Sequence, residues 1–127
     1  MPTFRKSERL CSQKVIDQLF LSGKKMLVFP FSIHWCECEY GTIDTPAQVL
    51  IATSKRKLHH AVDRNRVKRL MRECYRLSKP QLYNILQQKE KNIYLSINYI
   101  HNKPLDFHTM QAKYAKVLDE LENEIGK

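Results

Sequence analysis

The sequence predicts an α/β (α+β) sandwich, with helices layered on a small sheet in the order helix, strands, helix, strand, helix. Three observations predict it. Apolar residues recur at helical spacing in three separate segments and alternate between them, so the hydrophobic period switches from 3.6 to 2 and back. The chain has 127 residues, 43% of them apolar, enough for one buried core and too few for two, so residues 1–127 read as a single domain. Only 3 glycines and 5 prolines interrupt it, which excludes collagenous and low-complexity classes.

The elements follow in order. Residues 12–22 read as a helix: Ser12 caps it, Val15, Ile16, Leu19 and Phe20 recur at helical spacing, and Gly23 ends it. Lys25 to Val28 is a short strand. Phe29 to Tyr40 alternates, with Phe29, Phe31, Ile33 and Trp35 on one face and Ser32, His34, Cys36 and Cys38 on the other. Gly41 to Pro46 is turn-forming, Gln48 to Ser54 is a compact apolar strand, and Lys55 to His60 is a basic loop. Ala61 to Leu77 is the strongest helix, with Val67, Leu70, Met71, Cys74 and Leu77 as its apolar stripe. Pro80 is expected to interrupt it, leaving Gln81 to Gln88 as a further short helical turn. Asn92 to Ile100 is a strand with Ile93, Leu95, Ile97 and Tyr99 on one face, and Asp106 to Ile125 is a closing amphipathic helix.

Several classes are excluded or disfavoured. No apolar run approaches the ~20 residues of a membrane span. The start, Met1-Pro2-Thr3-Phe4-Arg5-Lys6, has no apolar stretch behind its charges, so it is no secretory signal and a cytoplasmic location is expected. The four cysteines, at 11, 36, 38 and 74, form no Cys-x-x-Cys pair. Reduced, partly buried thiols are expected in preference to a disulfide framework or a zinc site.

The charge is concentrated. The chain carries a net +9, and the stretch from Lys55 to Lys79 holds ten basic residues opposed only by Asp63 and Glu73. The end of the chain from Asp106 is net acidic. One region therefore carries a strong positive potential, whose natural partner is a polyanion. Asn65, Lys68, Arg69, Arg72 and Arg76 fall opposite the apolar stripe of their helix, with Arg64 and Arg66 at its borders. An ordinary solvated face mixes signs, whereas here Lys68 with Arg72 and Arg72 with Arg76 are like pairs at i,i+4, with little acidic relief. Arginine suits phosphate and guanine-edge contacts, and an Asn between two arginines both donates and accepts. The pattern points to nucleic acid without separating RNA from DNA.

The run Arg64-Asn65-Arg66-Val67-Lys68-Arg69-Leu70-Met71-Arg72-Glu73 closely resembles the signature of the bacterial ribonuclease P protein subunit. The likeness continues through Ile51-Ala52-Thr53-Ser54-Lys55-Arg56-Lys57, Ala61-Val62-Asp63, Phe4-Arg5-Lys6-Ser7-Glu8-Arg9-Leu10 and Phe20-Leu21-Ser22-Gly23-Lys24-Lys25, covering roughly residues 4–125. The resemblance implies an α-β-β-β-α-β-α fold with a small mixed sheet and a left-handed crossover, like a ribosomal-protein domain. It implies an endoribonuclease holoenzyme in which a catalytic RNA, with Mg²⁺, removes the 5′ leader from precursor tRNA. The protein would bind the leader and stabilise the active RNA, without catalytic residues, metal ligands or an organic cofactor of its own. The implied partners are the catalytic RNA and precursor tRNA, with no membrane and no DNA. Lys55, Arg56, Lys57, Arg64, Asn65, Arg66, Lys68, Arg69 and Arg72 would contact the catalytic RNA; Ile16, Phe20, His34 and Tyr99 would line a cleft for the single-stranded leader, where bases stack on aromatic rings.

The residues themselves agree that no nuclease site is present in the protein: there is no HExxH, no carboxylate cluster and no catalytic histidine pair. Two other classes share the charge pattern. One is a structural RNA-binding protein of ribosomal type. The other is a DNA-binding regulator, which would need a short helix and tight turn before the basic helix, where a strand stands instead.

Overall fold

A computed structural model describes residues 5–126; Phe4 of the amino-terminal motif lies outside them. The elements are a 3-10 turn at Lys6–Glu8, helix α1 (Gln13–Ser22), strands β1 (Lys24–Val28), β2 (Phe31–Cys38) and β3 (Ala47–Thr53), helix α2 (Ala61–Gln88), strand β4 (Asn92–Tyr99) and helix α3 (Phe107–Ile125). This is the expected α-β-β-β-α-β-α order. The strands form one mixed sheet in the order β1-β2-β4-β3. β1 pairs antiparallel with β2 and β2 with β4, while β3 runs parallel to β4, with α2 as the crossover between them.

Alternation decides the two faces. Phe31, Ile33 and Trp35 of β2, Val49 of β3 and Ile93, Leu95, Ile97 and Tyr99 of β4 are all 0–1% exposed on one face. They pack with Val67, Met71, Tyr75, Leu82 and Leu86 of α2 and Met110, Tyr114, Val117 and Leu121 of α3. Phe31 makes edge contacts with Tyr99 and Tyr114, at ring-centroid distances of 6.0 and 6.1 Å. Each such burial stabilises the fold by about 1.5–3 kcal/mol. The other face carries Lys25, Ser32, His34, Cys36, Tyr94, Ser96 and Asn98, and only α1 lies across it, over β2 and β4. Ser12 caps α1 by accepting from the Val15 N–H, and Leu19 buries its apolar side completely. At Gly23 a Cβ would collide with the Leu19 carbonyl of the helix's own last turn and press on the Trp35 carbonyl of the sheet. A side chain there would push α1 off the sheet.

Three expectations are corrected. α2 is one 28-residue helix with Pro80 inside it, not a helix and a separate turn. Proline removes one N–H, here the partner of the Arg76 carbonyl. Burial of Leu82 and Leu86 beyond the proline offsets that loss, and the Ser78 hydroxyl donates to the Cys74 carbonyl at 2.7 Å beside it. Leu77 is 45% exposed, and Tyr75, fully buried, takes its place in the stripe, because the continuous helix turns that line toward α3. Phe29 is not a strand residue: it stands in the β1–β2 turn with a cis bond to Pro30, 54% exposed, its ring against His101 at 5.1 Å.

The segment before α1 is structural, which periodicity does not reveal. The Leu10 N–H donates to the Val49 carbonyl at 2.9 Å, and Arg9 bridges Val49 in parallel, so the segment covers the outer edge of β3. Glu8, 4% exposed, receives Lys79 Nζ at 2.8 and 2.7 Å and the Tyr83 hydroxyl at 2.9 Å; Tyr75 and Tyr83 hydroxyls lie 3.0 Å apart. A buried carboxylate is stable only while its charge is matched. Lys79→Ala leaves Glu8 without its cation and is expected to lower stability by about 3–5 kcal/mol. Replacing both residues with apolar ones should recover most of that loss in denaturant unfolding.

Candidate nucleic-acid interface

The amino-terminal half of α2 presents its charge outward. Val67 and Met71 point into the core, so helical spacing turns Asn65, Arg66, Lys68, Arg69 and Arg72 away from it. Together with Val62 they line an open depression of about 520 Å³. Arg66, Lys68, Arg69 and Arg72 have no ion-pair partner among the described residues. Of the two acids in this stretch, Glu73 is engaged elsewhere: Arg76 Nε donates to it at 3.0 Å, Nη2 pairs with the other carboxylate oxygen, and this hydrogen bonding holds the Glu73 carboxyl below its ordinary range. The four cations on α2 are thus opposed locally by Asp63 alone, with none of them ion-paired among the described residues, and leave a positive surface suited to phosphate.

The basic loop is fixed against the same helix. Leu58, 2% exposed, plugs into the core, and its N–H donates to the Ser54 carbonyl at 2.8 Å. Lys55, Arg56 and Lys57 therefore stand exposed on a tight turn. Arg64 is different in kind. Its Nη1 donates to the carbonyls of Leu58 and His59, at 2.8 and 2.9 Å, tying the loop to the first turn of α2. The basic surface continues around the β3 edge, where Arg9 of the amino-terminal segment and Arg72 of α2 line a smaller depression of about 180 Å³ over Val49, Leu50 and Ile51.

On the half-open face, α1 sets Phe20 against His34, with ring centroids 4.5 Å apart. Ile16, one turn earlier, shares that side of the helix and is half-buried. Phe20 is 38% exposed, so it is a rim residue and not core. Asn98 Nδ2 lies 3.5 Å from His34 Nδ1 and donates to the Ser32 carbonyl at 3.0 Å, while Ser96 Oγ donates to Asn98 Oδ1 at 3.2 Å. Burial, aided by the charge of Lys25 on the paired strand, pushes the His34 pKa below its usual 6.5. An aromatic pair beside a polar strip and a lysine is chemically fit for an unpaired nucleotide, which offers a π-face and an anionic backbone.

The structure brings Ile16, Phe20 and His34 together and keeps Tyr99 apart from them. Tyr99 is 1% exposed on the opposite, core face, its hydroxyl donating to the Lys103 carbonyl at 2.7 Å. Strand parity forbids it the cleft; its neighbour Asn98 points there instead. Alternation alone signals that placement, since Asn98 shares the parity of Ser96 and Tyr94. Arg9 carries no comparable signal, because it lies in a segment without periodicity. Among the described residues, no three His, Cys, Asp or Glu side chains are placed to hold a metal ion, and no helix is long and apolar enough to cross a membrane.

Comparison with known proteins agrees on one family. Residues 4–122 match the family model described as ribonuclease P. The chain is 34% identical to the ribonuclease P protein component of Porphyromonas gingivalis over 121 residues, covering 92% of this chain and 86% of that one. It is 31% identical to the component from Geotalea uraniireducens, covering 93% and 94%. Among solved structures, a Staphylococcus aureus RNase P protein mutant with defective mRNA degradation activity superposes with a TM-score of 0.75 at 19% identity, over 92% of this chain and 90% of that one. The Thermotoga maritima RNase P protein gives 0.67 at 20% identity, over 89% and 96%. These two share the fold.

The geometry at His34 has a pH signature. Its folded pKa lies below the unfolded value, so the folded state binds fewer protons near pH 6. Its contribution to stability is full above about pH 6.5 and is lost as pH falls from there through the folded value. In an NMR titration His34 should titrate below 6.5, and Lys25→Ala should move it upward, since one source of the depression is removed.

Proposed function

The chain belongs to the ribonuclease P protein family, and from that premise we propose that it is the RNA-binding subunit of a ribonuclease P that trims the 5′ leader from precursor tRNA. The observation that carries the reading is the presence of two chemically distinct surfaces on opposite layers of one sheet. The α2 face, with the turn at Lys55, Arg56 and Lys57 and with Asn65, Arg66, Lys68, Arg69 and Arg72, supplies cations on a rigid helix. In this reading it grips the folded catalytic RNA through phosphates. Arg64 acts on that RNA chiefly by holding the loop.

The half-open face supplies a different grip. Phe20 and His34 present ring surfaces, Ile16 an apolar flank, and Lys25 a cation. A single-stranded leader is the part of a precursor that such a groove selects, because bases in a duplex are already stacked. The protein adds binding energy to the substrate form that carries a leader. Hydrolysis belongs to the RNA and the Mg²⁺ it holds, which lowers the cost of developing charge at the phosphate. The protein's cations around the RNA reduce phosphate repulsion and so lessen the Mg²⁺ needed for folding.

Three experiments test this. Adding the protein to a bacterial ribonuclease P RNA at low Mg²⁺ should restore leader cleavage; failure to do so, with the complex formed, overturns the assignment. Arg66→Ala with Arg69→Ala and Arg72→Ala should weaken RNA binding and flatten its log–log salt dependence by about two to three, at roughly 0.7–0.9 for each phosphate no longer neutralised. Phe20→Ala with His34→Ala should leave RNA affinity intact. It should reduce the holoenzyme's preference for precursor over mature tRNA by at least about fivefold for each base left unstacked, at roughly 1–3 kcal/mol per base. An unchanged preference would move the leader to another surface.

A further inference from the structure

The polar strip on the half-open face is wired in one direction. Asn98 Nδ2 donates to the Ser32 carbonyl at 3.0 Å. A backbone carbonyl only accepts, so the amide nitrogen must face it. At the other end Ser96, fully buried, donates its hydroxyl to Asn98 Oδ1 at 3.2 Å. Both ends of the amide are thereby fixed. The second N–H of Nδ2 then meets His34 Nδ1, at 3.5 Å. A proton on Nδ1 would confront that donor head-on, so Nδ1 is the bare nitrogen and the ring proton sits on Nε2. Phe20 packs on the ring at 4.5 Å and holds its orientation. Nε2 has no partner among the described residues.

We propose that Asn98 is a positioning residue that holds His34 in its Nε2–H form, so that His34 donates a hydrogen bond from Nε2 to an oxygen of a leader nucleotide. This rests on the half-open face being the leader groove, and it specifies how that groove reads its ligand. His34 acts as a directed neutral donor and not as a charge. The depressed basicity of the ring, from burial and Lys25, agrees with a neutral imidazole at working pH. The acceptor is either a non-bridging phosphate oxygen or a base carbonyl. Both ask the same of Nε2, and a leader with a methylphosphonate in place of one phosphate separates them.

The test uses the full chain, free for spectroscopy and reconstituted with the catalytic RNA for binding. Imidazole ¹⁵N NMR of the wild type should show His34 protonated on Nε2 and bare on Nδ1. In Asn98→Asp the carboxylate accepts, and Nδ1 should become protonated. His34→Gln places an amide nitrogen near the position of Nε2, whereas His34→Asn places one near Nδ1. Both variants lose the ring face, but the Gln variant should keep about five- to tenfold more precursor preference than the Asn variant, the size of one net hydrogen bond. An Nδ1–H tautomer in the wild type overturns the proposal, and so does equal behaviour of His34→Gln and His34→Asn. If the Phe20→Ala, His34→Ala double variant loses preference while Gln and Asn behave alike, the groove stands and the directed donor falls. If that double variant keeps full preference, the groove itself falls, and the donation with it.

Discussion

The rest of the structure depends on an inequality of cover. Four strands about 4.8 Å apart, the longest of eight residues or about 26 Å, make a sheet with two broad faces. On one face lie α2 and α3, of 28 and 19 residues, about 42 and 28 Å long. On the other lies α1, ten residues and about 15 Å. Two long helices can dry a face of this size, and one short helix cannot. The first face therefore collects the apolar residues of every strand and becomes the core. The second keeps serine, histidine, asparagine and lysine, which are served by water or, like the buried Ser96, by one another. The open margin beside α1, where Phe20 is 38% exposed, follows from that inequality.

The basic face of α2 is tolerated because the same helix is anchored elsewhere. Each like-charge pair at i,i+4 costs only a few tenths of a kcal/mol. Each buried side chain on the inner side contributes about 1.5–3 kcal/mol, and α2 buries Val67, Met71, Tyr75, Leu82 and Leu86. Helix stability alone therefore does not demand a polyanion to neutralise the stripe. Geometry favours a partner more strongly: four cations stand on one rigid element beside a single acid of its first turn, Asp63, while Glu73 is occupied by Arg76 and Glu8 by Lys79. The acids sit where they satisfy the protein, and the bases sit where they meet solvent.

Except for the end of α2, the periodic elements are legible in the sequence to within a residue or two: Ser12 and Gly23 bound α1, alternation marks β2 and β4, and Asp106 caps α3 by accepting from the Thr109 N–H. Long-range partnership is not. Pro80 reads as a breaker when only local hydrogen bonding is weighed, and it is carried through because Leu82 and Leu86 beyond it are buried and Lys79 and Tyr83, on either side of it, both meet Glu8, 71 and 75 residues away. The same distance hides the amino-terminal segment, whose role is to pair with β3 and not to repeat a period. At the site, Phe20 and His34 lie in ring contact on the half-open face, whereas Tyr99 lies on the other, since it has the parity of the core residues Ile97 and Leu95. Arg64 reads as a surface cation by its spacing; its guanidinium is turned back onto the loop because two carbonyls there need donors.

The strand order β1-β2-β4-β3 has a consequence for how the molecule is made. The last strand in the sequence is an inner strand of the sheet, between the second and the third. As the chain leaves the ribosome, β1 and β2 can close at once as a local hairpin. β3 has no strand partner until residues 92–99 emerge and slot in beside it. Until then the inner edge of β2, with Phe31, Ile33 and Trp35 along it, waits open while the whole of α2 is synthesised. Assembly is therefore gated by the arrival of one late segment, and contacts across long sequence separations form last. An incomplete chain ending before β4 lacks the strand that joins the two halves, and presents two unpaired apolar edges to its neighbours. Quality control in the cell thus meets this protein as either complete or adhesive, with little between.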